Sequence, residues 1–368
     1  MKVVHVEAGR HLYGGALQVL YLLEGLRERP SRNVLVCPAG SGIALAAQGI
    51  ADVVYGLPMH GELDVSFVAR FLQVLRLERP DLVHLHSRRG ADLWGAIAAR
   101  LARVPVVLSR RVDNPERLWL ARLKYRLYDH VVTISEGIRR VLIAEGVAPD
   151  RVTCVHSAVN TVVYRPGCDD AWLRAEFGVP PGAPVVGMVA QFIDRKGHDV
   201  LLDAVPQVLA RHPDARFLLL GQGPLKPATE ERALRRGLAQ RVLFPGFRTD
   251  LPRILPCLTL LVHPALLEGL GVALLQAAAC GVPIVASAVG GIPEAVLDRT
   301  NGALVPPGDA RSLAREVMRL LGDPEHLRSL GANGRRLVLE RFSTGAMVAG
   351  NLAVYRSVLG RVAQRQGN

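Results

Sequence analysis

Short β-branched strands and Ala/Leu-rich helices alternate along this chain, and the alternation runs twice. A single break, rich in Pro, Gly and charge, spans 163–184. Strands that are each followed by a helix pair in parallel, and a parallel sheet must be covered on both faces. The pattern therefore predicts two doubly wound α/β domains. Strands are expected at 2–7, 33–37, 53–56, 81–86, 105–109, 130–135 and 151–156. A second set is expected at 184–190, 215–221, 241–245, 258–263, 283–287 and 302–305. A chain of 368 residues accommodates two such domains. Their limits are placed at 1–165 and 166–345, with 346–368 a terminal helix packing back on the first domain. Doubly wound sheets bind ligands at the carboxyl ends of their strands, so a central cleft faced by both domains is expected to hold the chemistry.

The formal charge of +12 suits a polyanionic partner such as a phosphate ligand or an anionic membrane. Only four of the 45 basic residues are Lys, a bias that genome composition also explains. Cys37, Cys154, Cys168, Cys257 and Cys280 show no CxxC or metal-ligand spacing, and read as reduced thiols of a cytoplasmic protein. The amino terminus begins as a strand without a leader-like apolar region. The apolar run 272–289 is interrupted by Gln276, Gly281 and Pro283, which reads as helix, turn and strand rather than a membrane span.

The strongest local signal runs from His263 to Val285: a strand, a loop presenting Glu268, then Gly269, Leu270 and Gly271 opening a helix. The first amides of a helix lack partners and form an anion site, here suited to a diphosphate. Glu268 is placed to accept sugar hydroxyls, and Gln276, two turns on, to bind ribose hydroxyls. A second signal follows the strand at 184–190. Arg195 and Lys196 precede Gly197 at a helix start, a bidentate cation and a point charge for a leaving diphosphate. Gly290-Gly291-Ile292-Pro293-Glu294 feeds another helix, and Gly14-Gly15 is expected in a flexible loop after the first strand.

In this order and spacing the features resemble glycosyltransferase family 4, the retaining group 1 enzymes with the two-Rossmann GT-B fold. The resemblance covers nearly the whole chain and is most specific from Val185 to Asp309. It implies an acceptor domain followed by a nucleotide-sugar domain. It implies that Glu268 contacts hydroxyls of the transferred sugar, that the Gly269–Gly271 backbone contacts sugar and phosphate, and that Lys196 holds the diphosphate. Gly14 and Gly15 would lie near donor and acceptor. The family usually has Glu where Gln276 stands and Arg where Gln191 stands, so Arg195 would supply that charge from another point of the loop. The absence of a DxD-like carboxylate pair fits the metal-independent site the family implies, with no cofactor beyond the sugar nucleotide.

In the first half, His84 and His86 follow one strand, and Arg111 and Asp113 the next. His86, Arg111 and Asp113 are candidates to orient the acceptor. A His pair two apart also suits a metal, but no third ligand is evident. The basic stretch 117–128 reads either as a domain helix with a solvated Arg face or as an anionic-membrane contact, which would put the enzyme on the inner face of the cytoplasmic membrane. The expected activity is transfer of a hexose or N-acetylhexosamine, UDP-linked by preference, to a glycan or lipid-linked acceptor in envelope polysaccharide or lipopolysaccharide synthesis. A sugar-nucleotide epimerase or phosphorylase of the same fold is the alternative. A nucleic-acid-binding protein would need a recognition motif or a stacking platform, and neither is present. Without GxGxxG after the first strand, a nicotinamide dehydrogenase is disfavoured.

Overall fold

The computed structural model describes residues 1–12, 14–87, 90–112 and 118–367, with 118–120 and 365–367 as backbone only. Two units emerge, one of residues 1–158 with 344–368, the other of 159–343.

In the first unit the described residues form a seven-stranded parallel sheet. Its strands are β1 (Lys2–Val6), β2 (Arg32–Pro38), β3 (Val53–Leu57), β4 (Leu82–Leu85), β5 (Val106–Arg110), β6 (His130–Thr133) and β7 (Val152–Cys154). Their order is β3-β2-β1-β4-β5-β6-β7. Both faces are covered, so Val4, Val6, Val83 and Val106 have no exposed surface. The helices are α1 (Gly14–Arg27), α2 (Gly42–Ala46), α3 (Phe67–Glu78), α4 (Ala91–Leu101), α5 (Leu118–Tyr125) and α6 (Glu136–Ala144). The register pairs His5 with His84 across β1 and β4.

The second unit begins with α7 (Asp170–Phe177), then alternates β8 (Val185–Val189), α8 (His198–Arg211), β9 (Arg216–Leu220), α9 (Lys226–Arg235), β10 (Val242–Gly246), α10 (Leu251–Ile254) and β11 (Leu260–His263). It continues through α11 (Val272–Ala279), β12 (Ile284–Ser287), α12 (Ile292–Ala295), β13 (Gly302–Val305), α13 (Ala310–Leu321) and α14 (Pro324–Arg341). The six strands run β10-β9-β8-β11-β12-β13, all parallel. The last helix, α15 (Thr344–Gly367), belongs to the first unit, where it packs on α1. In both sheets the order reverses beside the first strand, at β1/β4 and at β8/β11, which makes those two strand ends the places for a ligand.

Two expectations are corrected and one element, α2, was not foreseen. Gly14 and Gly15 lie in the first turn of α1, not in a loop. Glycine permits positive φ without requiring it, and neither residue adopts it here. The five-residue helix α2 is too short for a periodic signal; it starts where the Ser41 hydroxyl accepts the Ala44 amide at 3.3 Å. Cys168 and Cys257 form a disulfide instead of remaining reduced. They are 89 residues apart, and only folding brings their Cα atoms to 4.7 Å. The same seam holds the Asp169–Arg253 ion pair at 2.8 Å and the Arg253 guanidinium 3.9 Å from the Trp172 ring. Among the described residues no helix is long and apolar enough to cross a membrane.

Candidate active site

The ends of β8 and β11 carry the charged residues of the candidate site, Arg195, Lys196 and Glu268. After β8 the chain makes a tight turn over Asp194–Lys196, closed by Gly197 at φ 73°. A Cβ on Gly197 would sit 1.9 Å from the Pro264 carbonyl oxygen, so only glycine lets this turn press against the segment leaving β11. The contact is completed by the Leu266 amide, which donates to the Arg195 carbonyl at 2.8 Å. This docking brings Lys196 to Glu268, although 72 residues separate them.

Glu268 is the hub. Its Oε2 accepts from Lys196 Nζ and from His263 Nε2, the latter at 2.9 Å, and its Oε1 accepts the Gly269 amide at 3.1 Å. Burial would raise the carboxyl's pKa, but the His263 and Lys196 donors prevail and hold it well below the ordinary carboxylate range. Its carbonyl accepts the Gly291 amide at 3.2 Å, which draws the Gly290-Gly291 turn and α12 with Glu294 to the same place. Gly271, at φ 88°, turns the chain into α11, whose first amides lack helical partners. Gln276 lies in the middle of α11, 8% exposed, and its amide has no protein partner among the described residues. The Arg195 guanidinium also has none, while Gln191 is exposed. Lys196, Glu268 and the 269–271 backbone are thus one cluster.

His263 opened the strongest sequence signal only as a strand end and was given no role. It ends β11, is 2% exposed, and its Nδ1 has no partner while Nε2 holds Glu268. A His at a strand end directly before Pro264 was the available signal. Behind this cluster His198 stacks on Phe192, with centroids 4.1 Å apart. Burial, with smaller contributions from His263 and Lys196, lowers its pKa to about 4.

In the first unit, Glu7, Arg10, His86, Ser87, Ser109 and Arg111 line a cavity of about 300 Å³ at the β1/β4 strand ends. The Ala8 amide donates to Ser87 Oγ at 2.6 Å and the Gly9 amide to Glu7 Oε1 at 2.8 Å. Arg111 Nε donates to the His86 carbonyl at 3.3 Å. Burial lowers the Arg111 pKa and Glu7 opposes that shift. Gly15 packs beside this arginine, its Cβ position 3.7 Å from Arg111 Cδ. Asp113 lies outside the described residues, as do Arg88, Arg89 and Arg117.

Beneath the cavity the expected His84/His86 pair gains His5, a third imidazole that the sequence did not reveal. His5 Nδ1 and His86 Nε2 are 3.0 Å apart; His84 Nδ1 meets Tyr355 Oη at 2.6 Å and Nε2 meets Ser109 Oγ at 2.9 Å. His5 Nε2 faces Asn33 Oδ1 at 3.4 Å. Only His86 Nδ1 has no partner. Burial lowers His5 to about 4 and pushes His84 and His86 well down, so the rings are neutral at pH 7. Five of their six nitrogens are committed to hydrogen bonds, which a metal would have to displace.

Two Rossmann-like units, with a lysine and a carboxylate meeting at the switch point of the second, define a GT-B glycosyltransferase. Anabaena HepE in complex with UDP has the same fold, with a TM-score of 0.86 at 22% identity, over 97% of this chain and 100% of that one. Residues 183–323 match the model described as glycosyl transferases group 1, and residues 13–163 match glycosyltransferase family 4. A 2-deoxystreptamine glucosyltransferase of Streptomyces kanamyceticus is 30% identical over 299 residues, covering 76% of this chain and 77% of the relative. A D-inositol 3-phosphate glycosyltransferase of Acidothermus cellulolyticus is 34% identical over 332 residues, covering 82% and 73%. The chain belongs to glycosyltransferase family 4, the group 1 glycosyltransferases.

Proposed function

We propose that this enzyme moves a hexose or N-acetylhexosamine from a nucleoside diphosphate sugar, UDP-linked by preference, to a hydroxyl acceptor with retention of anomeric configuration. The observation that carries the reading is the Lys196–Glu268–His263 cluster beside the Gly269–Gly271 turn. In the reaction the bond from the anomeric carbon to the diphosphate breaks and the acceptor oxygen bonds to the same face. The acceptor proton passes to a phosphate oxygen of the leaving group. Negative charge grows on the diphosphate, where Lys196, Arg195 and the first amides of α11 stabilise the transition state more than the ground state. Lys196 exchanges its partner, from Glu268 to phosphate, and His263 keeps Glu268 oriented toward the sugar hydroxyls. Gln276 takes the ribose. These cations and amides replace a metal, and no cofactor takes part.

On this reading the cavity of the first unit receives the acceptor, with His86 and Arg111 lining it and Gly14 and Gly15 close by, and Asp113 helps orient the acceptor. A glycan or lipid-linked acceptor of envelope polysaccharide or lipopolysaccharide synthesis fits a basic enzyme that docks on the inner face of the cytoplasmic membrane through α5. There Leu123 is 62% exposed and Arg122 is exposed beside it. The relatives name acceptors of opposite charge, an aminocyclitol and an inositol phosphate, so the family alone does not set the acceptor's charge.

A thermal-shift panel of UDP, GDP, ADP and their sugars tests the donor, because a ligand of the folded state raises its stability. UDP and a UDP-sugar are expected to give the largest rise, and EDTA no change in turnover. Product of inverted configuration by proton NMR would contradict the reading.

A further inference from the structure

We infer that the acceptor is an anionic polyol, its phosphate-type group held by Arg111 in the cavity at the β1/β4 strand ends. The inference rests on the reading that this cavity receives the acceptor. Among the described residues Arg111 commits only Nε; its two terminal nitrogens have no hydrogen-bond or carboxylate partner there. A guanidinium drawn into a cavity with its planar fork unspent is a bidentate site for an oxyanion. Leaving it unpaired is costly, whereas a phosphate or carboxylate offsets the lost hydration.

The surroundings point the same way. Arg10 supplies a second positive charge at the exposed rim. The fourteen-residue helix α1 begins at Gly14, has no acidic residue in its first turn, and sets Gly15 against Arg111. Its positive end adds to the guanidinium field. The imidazoles below are neutral and add no negative charge. Against these stands, among the described residues lining the cavity, one carboxylate, Glu7, which is 3% exposed and already accepts the Gly9 amide. An amino-bearing acceptor would meet two guanidinium groups and one committed carboxylate. A phosphorylated polyol meets a fork, a helix terminus, and Ser87 and Ser109 for its hydroxyls. The volume, about 300 Å³, is at the small end of ligand pockets and suits a single ring.

The test is calorimetry on the full chain with D-myo-inositol 3-phosphate, myo-inositol, glycerol 3-phosphate, glycerol, 2-deoxystreptamine and inorganic phosphate. One phosphorylated polyol is expected to bind at least tenfold tighter than its neutral parent, than 2-deoxystreptamine and than inorganic phosphate. Arg111→Gln should erase that preference and Arg111→Lys should keep part of it. An unchanged circular dichroism spectrum and thermal midpoint report that each variant is folded. Equal or tighter binding of a neutral or amino polyol overturns the inference. So does inorganic phosphate matching the polyol phosphate, a preference that survives Arg111→Gln, or no binding by any polyol phosphate. If Arg111→Gln does not fold, the wild-type ranking and Arg111→Lys decide. If sugar nucleotides bind and polyol phosphates do not, only this inference falls; if no sugar nucleotide binds, the donor reading falls with it.

Discussion

The two switch points of this enzyme share a topology and handle charge in opposite ways. At β8/β11 the groups are closed on one another around a carboxylate: Lys196 and His263 both spend a donor on Glu268. At β1/β4 the buried imidazoles are neutral, and Arg111, with Glu7 lining the same cavity, keeps its terminal nitrogens without a hydrogen-bond partner among the described residues. A closed ionic cluster is preorganised and trades one partner for another when ligand arrives. An open cation over a neutral base waits for its counter-charge. The difference teaches that similar sheets are specialised by what their strand ends carry, not by how the strands are ordered.

The largest expected effect separates the halves by covalent constraint. Reducing the Cys168–Cys257 disulfide, or replacing both residues by Ser, should destabilise the second unit by about 4 kcal/mol, because the bond closes a loop of 89 residues. Urea denaturation followed by the fluorescence of Trp172, against that of Trp94, reads each half. Equal losses in both would break the comparison.

Next is acid. His5, His84 and His86 are held neutral below their ordinary value of 6.5, so the unfolded chain takes up protons first as pH falls. The stability they protect is complete above pH 6.5 and is lost on descent toward the folded values. His5 alone, lowered to about 4, contributes on the order of 3 kcal/mol. The second unit has His198 in the same range, but its main ionic cluster depends on Glu268. That carboxylate's contribution is present above its unfolded value of 4.5 and is lost only as pH falls further. The first unit should therefore begin to unfold at higher pH than the second. Hydrogen exchange between pH 7 and 4 checks the order, and simultaneous loss would remove the contrast.

Smaller still, Lys196→Ala should lower turnover at least tenfold, about 1.4 kcal/mol in transition-state terms. Unchanged turnover would detach the cluster from the chemistry. Tyr355→Phe should cost about 1 kcal/mol of first-unit stability by removing the hydroxyl that meets His84 at 2.6 Å. The second unit's midpoint should stay where it was.

The strand and helix alternation was plain in the sequence because each strand is a short apolar run bounded by turn residues, and the longer helices carry a clear period. Lys196, Glu268 and Gly271 could be placed at strand-to-helix loops, but an Arg-Lys pair or an EGxG alone also fits a solvated loop or an ordinary helix start, so their roles came from the family resemblance and not from the local pattern. What stayed hidden depends on contacts between distant segments. His5 meets His84 only through the β1/β4 register, and Tyr355 reaches them from 271 residues away. The 89-residue gap between Cys168 and Cys257 carries no local pattern. Gly14-Gly15 misled because a glycine pair is compatible with both a loop and a helix start.

The account depends most on the second unit meeting a nucleoside diphosphate with Lys196. Calorimetric titration of UDP into the wild-type enzyme and into Lys196→Ala measures this directly. The wild type should bind, and the variant should bind at least tenfold more weakly while retaining its fold by circular dichroism. Equal affinity in the two proteins, or no binding of UDP, GDP or ADP to folded wild type, would contradict it.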